Sequence, residues 1–244
     1  MFELNEYVAE IAGIHAGEGY LRNDGQRAEL DISGNNEEKE YYNNNIKRLF
    51  KESFNITINN KYWPSRRTYG FVLRNKNIIE FFHETLGFPY GKKSKTVRIP
   101  KLIMNNSKKL KCAFLRGLFD TDGSLTFDKR RGKYCLFKKT NNCYPRIIIS
   151  TISKNLSQEV EKILLELNIK NYTQIYKSKN VNENKKYKIW IHGEKNLKKW
   201  INKIGINNPC KLIKYKIWKK YGYCPPKMTF KQLENILKEE TNSS

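Results

Sequence analysis

The chain has little acid and almost no histidine. Lysine and arginine number 47 against 24 aspartates and glutamates, a formal net charge of +23. That excess goes beyond what solubility requires and points to polyanionic partners, nucleic acid first. A genome rich in Lys, Asn and Ile codons would raise the charge too, so charge alone names no activity. Only His15, His83 and His192 are present, and they do not cluster as a His-Asn-His nuclease site would need. The five cysteines are odd in number and form no C-x-x-C pair, which argues against a disulfide framework or a zinc cluster and fits a reduced interior. No apolar run nears the ~18 residues that suggest a bilayer span. Met1–Tyr7 lacks the basic start and apolar run of a secretory signal. What remains is a normal apolar fraction with 13% aromatics, which describes a packed globule rather than a basic tail. Its 244 residues suffice for one large domain or two small ones.

The sequence repeats itself at an offset of 104. Ala9, Gly13 and Gly17 align with Ala113, Gly117 and Thr121. Ile11, Ile14 and Leu21 align with Leu115, Leu118 and Leu125, and Glu18-Gly19 aligns with Asp122-Gly123. Each copy reads as a helix. Leu4 and Asn5 supply a staple and N-cap for the first, Ser107 an N-cap for the second, and Gly19 and Gly123 the C-terminal glycines. Small residues every four positions make a smooth ridge along one helix face. Two such ridges can bring backbones unusually close, as small-residue helix pairs do in membranes. If the helices pack side by side and parallel, Glu18 and Asp122 meet at one end. Carboxylates there face unpaired carbonyls and the negative pole of the helix dipole. One acid would then be protonated, or a cation would neutralise both. Hard oxygen donors of this kind suit Mg²⁺ or Ca²⁺. Two solvated acids in turns is the alternative, and the duplication favours the metal.

These segments, I-A-G-I-H-A-G-E-G over 11–19 and L-R-G-L-F-D-T-D-G over 115–123, resemble the LAGLIDADG motif of homing endonucleases. The first departs from the family pattern at His15 and Ala16, and neither departure touches the motif's second acid. The resemblance implies a single-chain, two-motif enzyme of α+β class. It would have two pseudo-symmetric αββαββα halves, saddle-shaped antiparallel sheets and a central helix pair. The first half would span 1–104 with a linker over about 87–104, the second 105–223, and a closing helix and tail 224–244. In the first half the expected elements are a hairpin over 20–33 turning at Asn23-Asp24-Gly25, a helix over 37–53, strands over 55–63 and 67–74, and a helix over 77–86. In the second they are strands over 124–127 and 146–152, a helix over 156–167, strands over 172–179 and 186–192, and a helix over 194–204. A basic insertion of a dozen or so residues, about 129–144, lengthens the first hairpin of the second half. Thr229 and Gln232 form a capping box for a last helix over 229–240.

The resemblance also implies roles. Glu18 and Asp122 would bind metal with the carbonyls of Gly17 and Thr121, using Mg²⁺ for cutting. Ca²⁺ would occupy the site without supporting cleavage, and Mn²⁺ could substitute. The partner would be double-stranded DNA with a long asymmetric target, bound by a monomer and cut on both strands to leave short 3′ overhangs. Strand alternation puts Ala28, Leu30 and Ile32 inside and Arg27, Glu29, Asp31 and Ser33 outside, towards DNA. In the second half Tyr187, Ile189 and Ile191 face inward, with Lys186, Lys188, Trp190 and His192 outward. Arg22, Arg66, Arg67, Arg130 and Arg131 complete the expected DNA contacts. Family members place a basic residue near each scissile phosphate. Lys95 lies 95 − 18 = 77 residues after Glu18; Lys211 lies 211 − 122 = 89 after Asp122, or 77 without the insertion. These two are the candidates.

The rival is an RNA maturase or a non-cleaving DNA binder of the same fold, separated by testing DNA cleavage against stimulation of splicing. Without splice-junction residues at its ends, a free-standing or intron-encoded enzyme is expected rather than an intein. Its expected setting is an archaeal cytoplasm or nucleoid, or an organelle matrix.

Overall fold

The computed structural model describes residues 2–129, 141–177 and 184–238. Helix α1 (Glu6–Glu18) begins at Asn5, whose side chain accepts from the Val8 amide at 3.0 Å. It runs directly into strand β1 (Gly19–Asn23), which turns back into β2 (Ala28–Asn35). The turn needs Gly25, whose φ of 85° few other residues tolerate. A short 3₁₀ turn (Asn36–Glu38), a π-helical turn (Tyr41–Ile46) and α2 (Lys47–Phe54) then cover the sheet. Strands β3 (Lys61–Trp63) and β4 (Thr68–Leu73) and helix α3 (Lys76–Glu80), extended by a second π-helical turn (Phe81–Thr85), complete the half.

After the short α4 (Lys101–Met104) the order recurs: α5 (Lys108–Asp122), β5 (Gly123–Asp128), β6 (Tyr144–Thr151), α6 (Lys154–Glu166), β7 (Tyr172–Tyr176), β8 (Lys186–His192) and α7 (Glu194–Lys203). Two antiparallel four-stranded sheets result, ordered β1-β2-β4-β3 and β5-β6-β8-β7. One topology occurs twice, as the sequence repeat implies, and the fold is α+β with two halves.

Alternation sorts the faces. Leu30, Ile32, Ile189 and Ile191 are fully buried against the helices, and Glu29, Asp31, Lys186 and Lys188 lie on the opposite face. Three expectations needed correction. Residues 55–60 are not strand: Asn55 takes a left-handed conformation that caps α2, and pairing starts only at Lys61. A helix unforeseen in the sequence, α8 (Pro209–Tyr221), follows α7. Its apolar residues lie among many lysines, which hides its period. Gly19 and Gly123 do not take the left-handed C-cap conformation; both are extended, with φ of −74° and −82°. They are needed for space, because a Cβ would strike the His15 ring at position 19 and the Phe119 ring at 123. The last helix, α9 (Phe230–Lys238), has the expected capping box, with Thr229 N donating to Gln232 Oε1 at 2.9 Å and Gln232 N to Thr229 Oγ1 at 3.3 Å. Most of the basic insertion, residues 130–140 with Arg130 and Arg131, lies outside the described residues.

Candidate active site at the paired helix ends

Helices α1 and α5 pack backbone to backbone. A Cβ on Gly13 would overlap the Phe114 carbonyl oxygen and sit 2.9 Å from the Leu118 amide. A Cβ on Gly117 would overlap the Glu10 carbonyl and sit 2.9 Å from the Ile14 amide. Adding 104 to Glu10, Gly13 and Ile14 gives Phe114, Gly117 and Leu118, so the contact obeys the same two-fold relation as the sequence. The ridges therefore serve close approach, and close approach puts both helix C-termini at one place. Gly17 lies against Thr121, and its Cβ position is 3.3 Å from the Asp122 carboxyl carbon.

Glu18 and Asp122 thus meet, in unlike surroundings. Glu18 is half-buried, accepts from the Tyr42 hydroxyl at 2.6 Å, and has Gly34 packed so closely that a Cβ there would strike its carboxylate. Burial, then the nearby Glu38 carboxylate, push its pKa to about 7. Asp122 stands exposed at the lip, and its pKa is raised by desolvation from the protein behind it, against the pull of Lys93 and Lys211.

A lysine reaches each helix end. Buried Lys211, on α8, donates from Nζ to the carbonyls of Phe119, Asp120 and Thr121 at 2.8, 2.6 and 2.9 Å. Buried Lys93 donates to the Gly17 carbonyl at 3.1 Å, and desolvation lowers its pKa to about 8. The lysine at the first helix end is therefore Lys93, where spacing pointed to Lys95, which is exposed. The strand registers give the reason: Gly19 pairs with Ile32 and Gly123 with Ile149, so the hairpin insertion is 26 − 13 = 13 residues, and Ser33–Gly70 against Ser150–Lys188 adds 38 − 37 = 1, which makes 89 − 14 = 75, the separation of Lys93 from Glu18. If the chain cuts DNA as its motifs imply, Lys93→Met should lower the rate by about a hundredfold, as loss of one preorganised donor does, whereas Lys95→Met should leave it unchanged; single-turnover kinetics separate the two.

Sequence reasoning also missed Tyr42, Glu38 and Asn208. Asn208 bridges the halves, donating to Glu38 Oε1 at 2.7 Å and to the Asp120 carbonyl at 2.7 Å. Lys211 lies 4.0 Å from Glu38 Oε1. No motif marks these residues, because the fold alone brings them to the helix ends. Deeper still, buried Glu10 pairs with Arg116 at 2.6 Å and accepts from Asn207. Asp120 is wholly buried, accepts from the Asn207 amide, and is pushed by burial to about 7. His15, flanked edge-on by Phe82 and Phe88, is kept neutral by burial and by Lys93.

The donor set fits a hard divalent cation. The two carboxylates lie side by side, Glu18 is half-buried without an arginine partner among the described residues, and the Gly17 and Thr121 carbonyls each keep a second lone pair beside the lysine. No group of three or more His, Cys, Asp or Glu side chains suited to a metal occurs among the described residues. Water and phosphate oxygens would complete the coordination.

Glu18 and Asp120 have folded pKa values near 7, well above the ordinary carboxylate range. Between about pH 4.5 and about 7 the folded state holds more protons than the unfolded chain, so these groups' stabilisation fades as pH rises through that window. A Ca²⁺ ion held by ionised Glu18 would raise the thermal midpoint more near pH 8 than near pH 6. A Ca²⁺ shift equal at both pH values would contradict a Glu18 cation site.

The expected DNA contacts among the described residues lie on the outer sheet faces or their turns. Asp31 holds Arg66 at 2.6 Å, Glu29 holds Arg74 at 2.8 Å, and Arg22 pairs with Asp24. Ser33 donates to Asp31, and Arg27 and Arg67 are exposed, Arg67 with a φ of 53°. Lys188 covers the Tyr176 ring, Lys186 is exposed, and His192 meets the Tyr172 hydroxyl at 3.2 Å.

Comparison with known proteins agrees with this geometry. Residues 109–205 match the LAGLIDADG-like domain family. The homing endonuclease I-DmoI, in complex with DNA and Mn, superposes with a TM-score of 0.55 at 16% identity, over 82% of this chain and 96% of that one. A double mutant of I-SmaMI gives 0.52 at 12% identity, covering 90% and 91%. The N-terminal LAGLIDADG domain of DUF199/WhiA gives 0.51 at 15%, covering 82% and 81%. Among curated sequences, the replication factor C small subunit of Methanocaldococcus jannaschii is 29% identical over 87% of this chain, and the tRNA-splicing ligase RtcB of Pyrococcus abyssi 27% identical over 85%. The chain spans only 10% and 23% of those two proteins. Residues 109–205 thus match the LAGLIDADG-like domain family, and over 82–90% of its length the chain has the fold of the LAGLIDADG homing endonucleases I-DmoI and I-SmaMI.

Proposed function

We propose that this chain is a site-specific endonuclease that hydrolyses both strands of duplex DNA with Mg²⁺, leaving short 3′ overhangs. One observation carries the reading: two acids from duplicated helices meet at one point, each beside a lysine, between two sheets with charged outer faces. Halves at 1–104 and 105–223, one per half-site, follow from it, as does action as a monomer. I-DmoI is described in complex with DNA and Mn and with DNA and Ca, which supports divalent metal here. The matched stretch is a minor part of proteins as different as a replication factor and an RNA ligase, which supports a segment that spreads between unrelated genes.

Glu18 and Asp122, with the Gly17 and Thr121 carbonyls, would hold the cation, and each acid would serve one strand. A bound divalent cation supplies water of lowered pKa and stabilises the leaving oxygen. The protein does the rest. Tyr42 fixes one Glu18 oxygen and leaves the other available. Lys93 and Lys211 hold positive charge beside the acids, where phosphate charge grows in the transition state. Two-stranded ribbons on the outer faces of the sheets fit the major groove and would set the register. The test is selection of cleaved duplexes from a randomised DNA library with Mg²⁺, read by sequencing the ends. A unique long site with 3′ overhangs is the expected result. No cleavage, together with stimulated intron splicing, would favour the maturase.

A further inference from the structure

The two sheets have diverged at one matching place on their outer faces. Gly19 pairs with Ile32, and Gly123 with Ile149, so Glu29, Asp31 and Ser33 of β2 correspond to Arg146, Ile148 and Ser150 of β6. Ser33 pairs with Gly70 and Ser150 with Lys188, so Val72 and Arg74 of β4 correspond to Trp190 and His192 of β8. On the first sheet the matching row is Tyr20, Asp31 and Val72, and charge interrupts it: Asp31, between the exposed Tyr20 and Val72, pairs with Arg66, and Glu29 beside it pairs with Arg74. On the second, Ser124, Ile148, Trp190 and Tyr172 stand in register across all four strands.

This row lies on the face away from the helices, whose packing is satisfied by Ile147, Ile149, Ile189 and Ile191. It is nevertheless apolar. Trp190 stacks near-parallel on Tyr172, at 13°, and Tyr172 is 52% exposed. Arg146 lies over the Trp190 ring at 5.1 Å, and its guanidinium is held by Asp128 at 2.7 Å. Lys186 and Lys188, on the same strand as Trp190 and the same face, give the patch a cationic rim. An apolar strip with a cationic rim complements a major groove in which bases present apolar groups between phosphates. Thymine is the base that does so, through its 5-methyl group, whereas guanine and cytosine present acceptors and donors suited to Arg and carboxylate.

We infer that Ile148 and Trp190 read thymine methyl groups, so that the half of the target under the second sheet is selected for thymine and the half under the first is not. The inference rests on the duplex binding proposed above. It assigns specificity to two residues that no motif marks.

The test uses the whole protein in Ca²⁺ and the duplex recovered from the randomised library, with thymines replaced by deoxyuridine in one half at a time. Uracil lacks only the methyl. Hydroxyl-radical footprints of Lys188→Ala identify the half under the second sheet. There, each methyl removed from a buried contact should weaken binding about fourfold; in the other half affinity should be unchanged. Ile148→Ser, on the outer face, should bind the thymine and uracil duplexes with more nearly equal affinity. Indifference to uracil in both halves, or a loss confined to the other half, overturns the inference while leaving cleavage intact. Failure to recover any selectively bound duplex overturns the duplex reading and this inference together.

Discussion

Glu18→Gln and Asp122→Asn should each abolish double-strand cleavage, lowering the rate at least about a thousandfold, while DNA binding in EDTA does not weaken. Metal-assisted hydrolysis draws several kcal/mol of transition-state stabilisation from the cation and its water, and each ~1.4 kcal/mol is a factor of ten. Removing one anionic ligand removes most of that on the strand it serves. Neither change should harm the fold. In Glu18→Gln the amide oxygen can still accept from Tyr42, and in Asp122→Asn the new amide stands at an exposed lip. Near neutral pH, Glu18→Gln should even raise the thermal midpoint without metal, because it deletes a carboxylate whose pKa burial has pushed to about 7. A structural residue would behave oppositely, with stability lost together with activity. Full double-strand cutting by either variant would remove the assignment.

Gly13→Val and Gly117→Val should each destabilise the protein by about 3 kcal/mol or more. Alanine for glycine inside a helix ordinarily gains up to about 1 kcal/mol. Here the added carbon meets the backbone of the facing helix, Phe114 and Leu118 in one case, Glu10 and Ile14 in the other. Backbone cannot rotate away as a side chain can, so the helices must part. Overpacking of this kind costs about 1–3 kcal/mol in ordinary cores, and a branched side chain at a backbone contact lies at or beyond the upper end. Gly17→Ala should be milder in denaturant melts, since its nearest obstacle is the Thr121 side chain. It should still impair cleavage by displacing Asp122. Equal losses at the three positions would argue that the helices do not touch through glycine.

Much of this was legible in the sequence because the duplication encodes it. Aligning 9–21 with 113–125 fixed the helix pair, its contact face and the meeting of Glu18 with Asp122. Alternation in 27–33 and 186–192 fixed which strand faces are buried. What was hidden depends on three-dimensional closure. Lys93 and Lys95 stand in one basic run, and only chain geometry decides which enters the site. Tyr42, Glu38 and Asn208 come from elements distant in sequence and share no spacing rule. A glycine that ends a helix suggests a left-handed cap, whereas at Gly19 and Gly123 the constraint is the ring of the residue four positions earlier. The start of β3 was misplaced because Asn55 ends α2 in a left-handed turn and postpones pairing.

Fe²⁺ substituted for Mg²⁺, with ascorbate and peroxide, would locate the cation most directly by cutting the polypeptide beside it. Two sets of fragments are expected, one ending near Glu18 and one near Asp122, both lost in Glu18→Gln combined with Asp122→Asn. Cuts at neither site, or at positions unaffected by that double substitution, would contradict a shared metal centre at the paired helix ends.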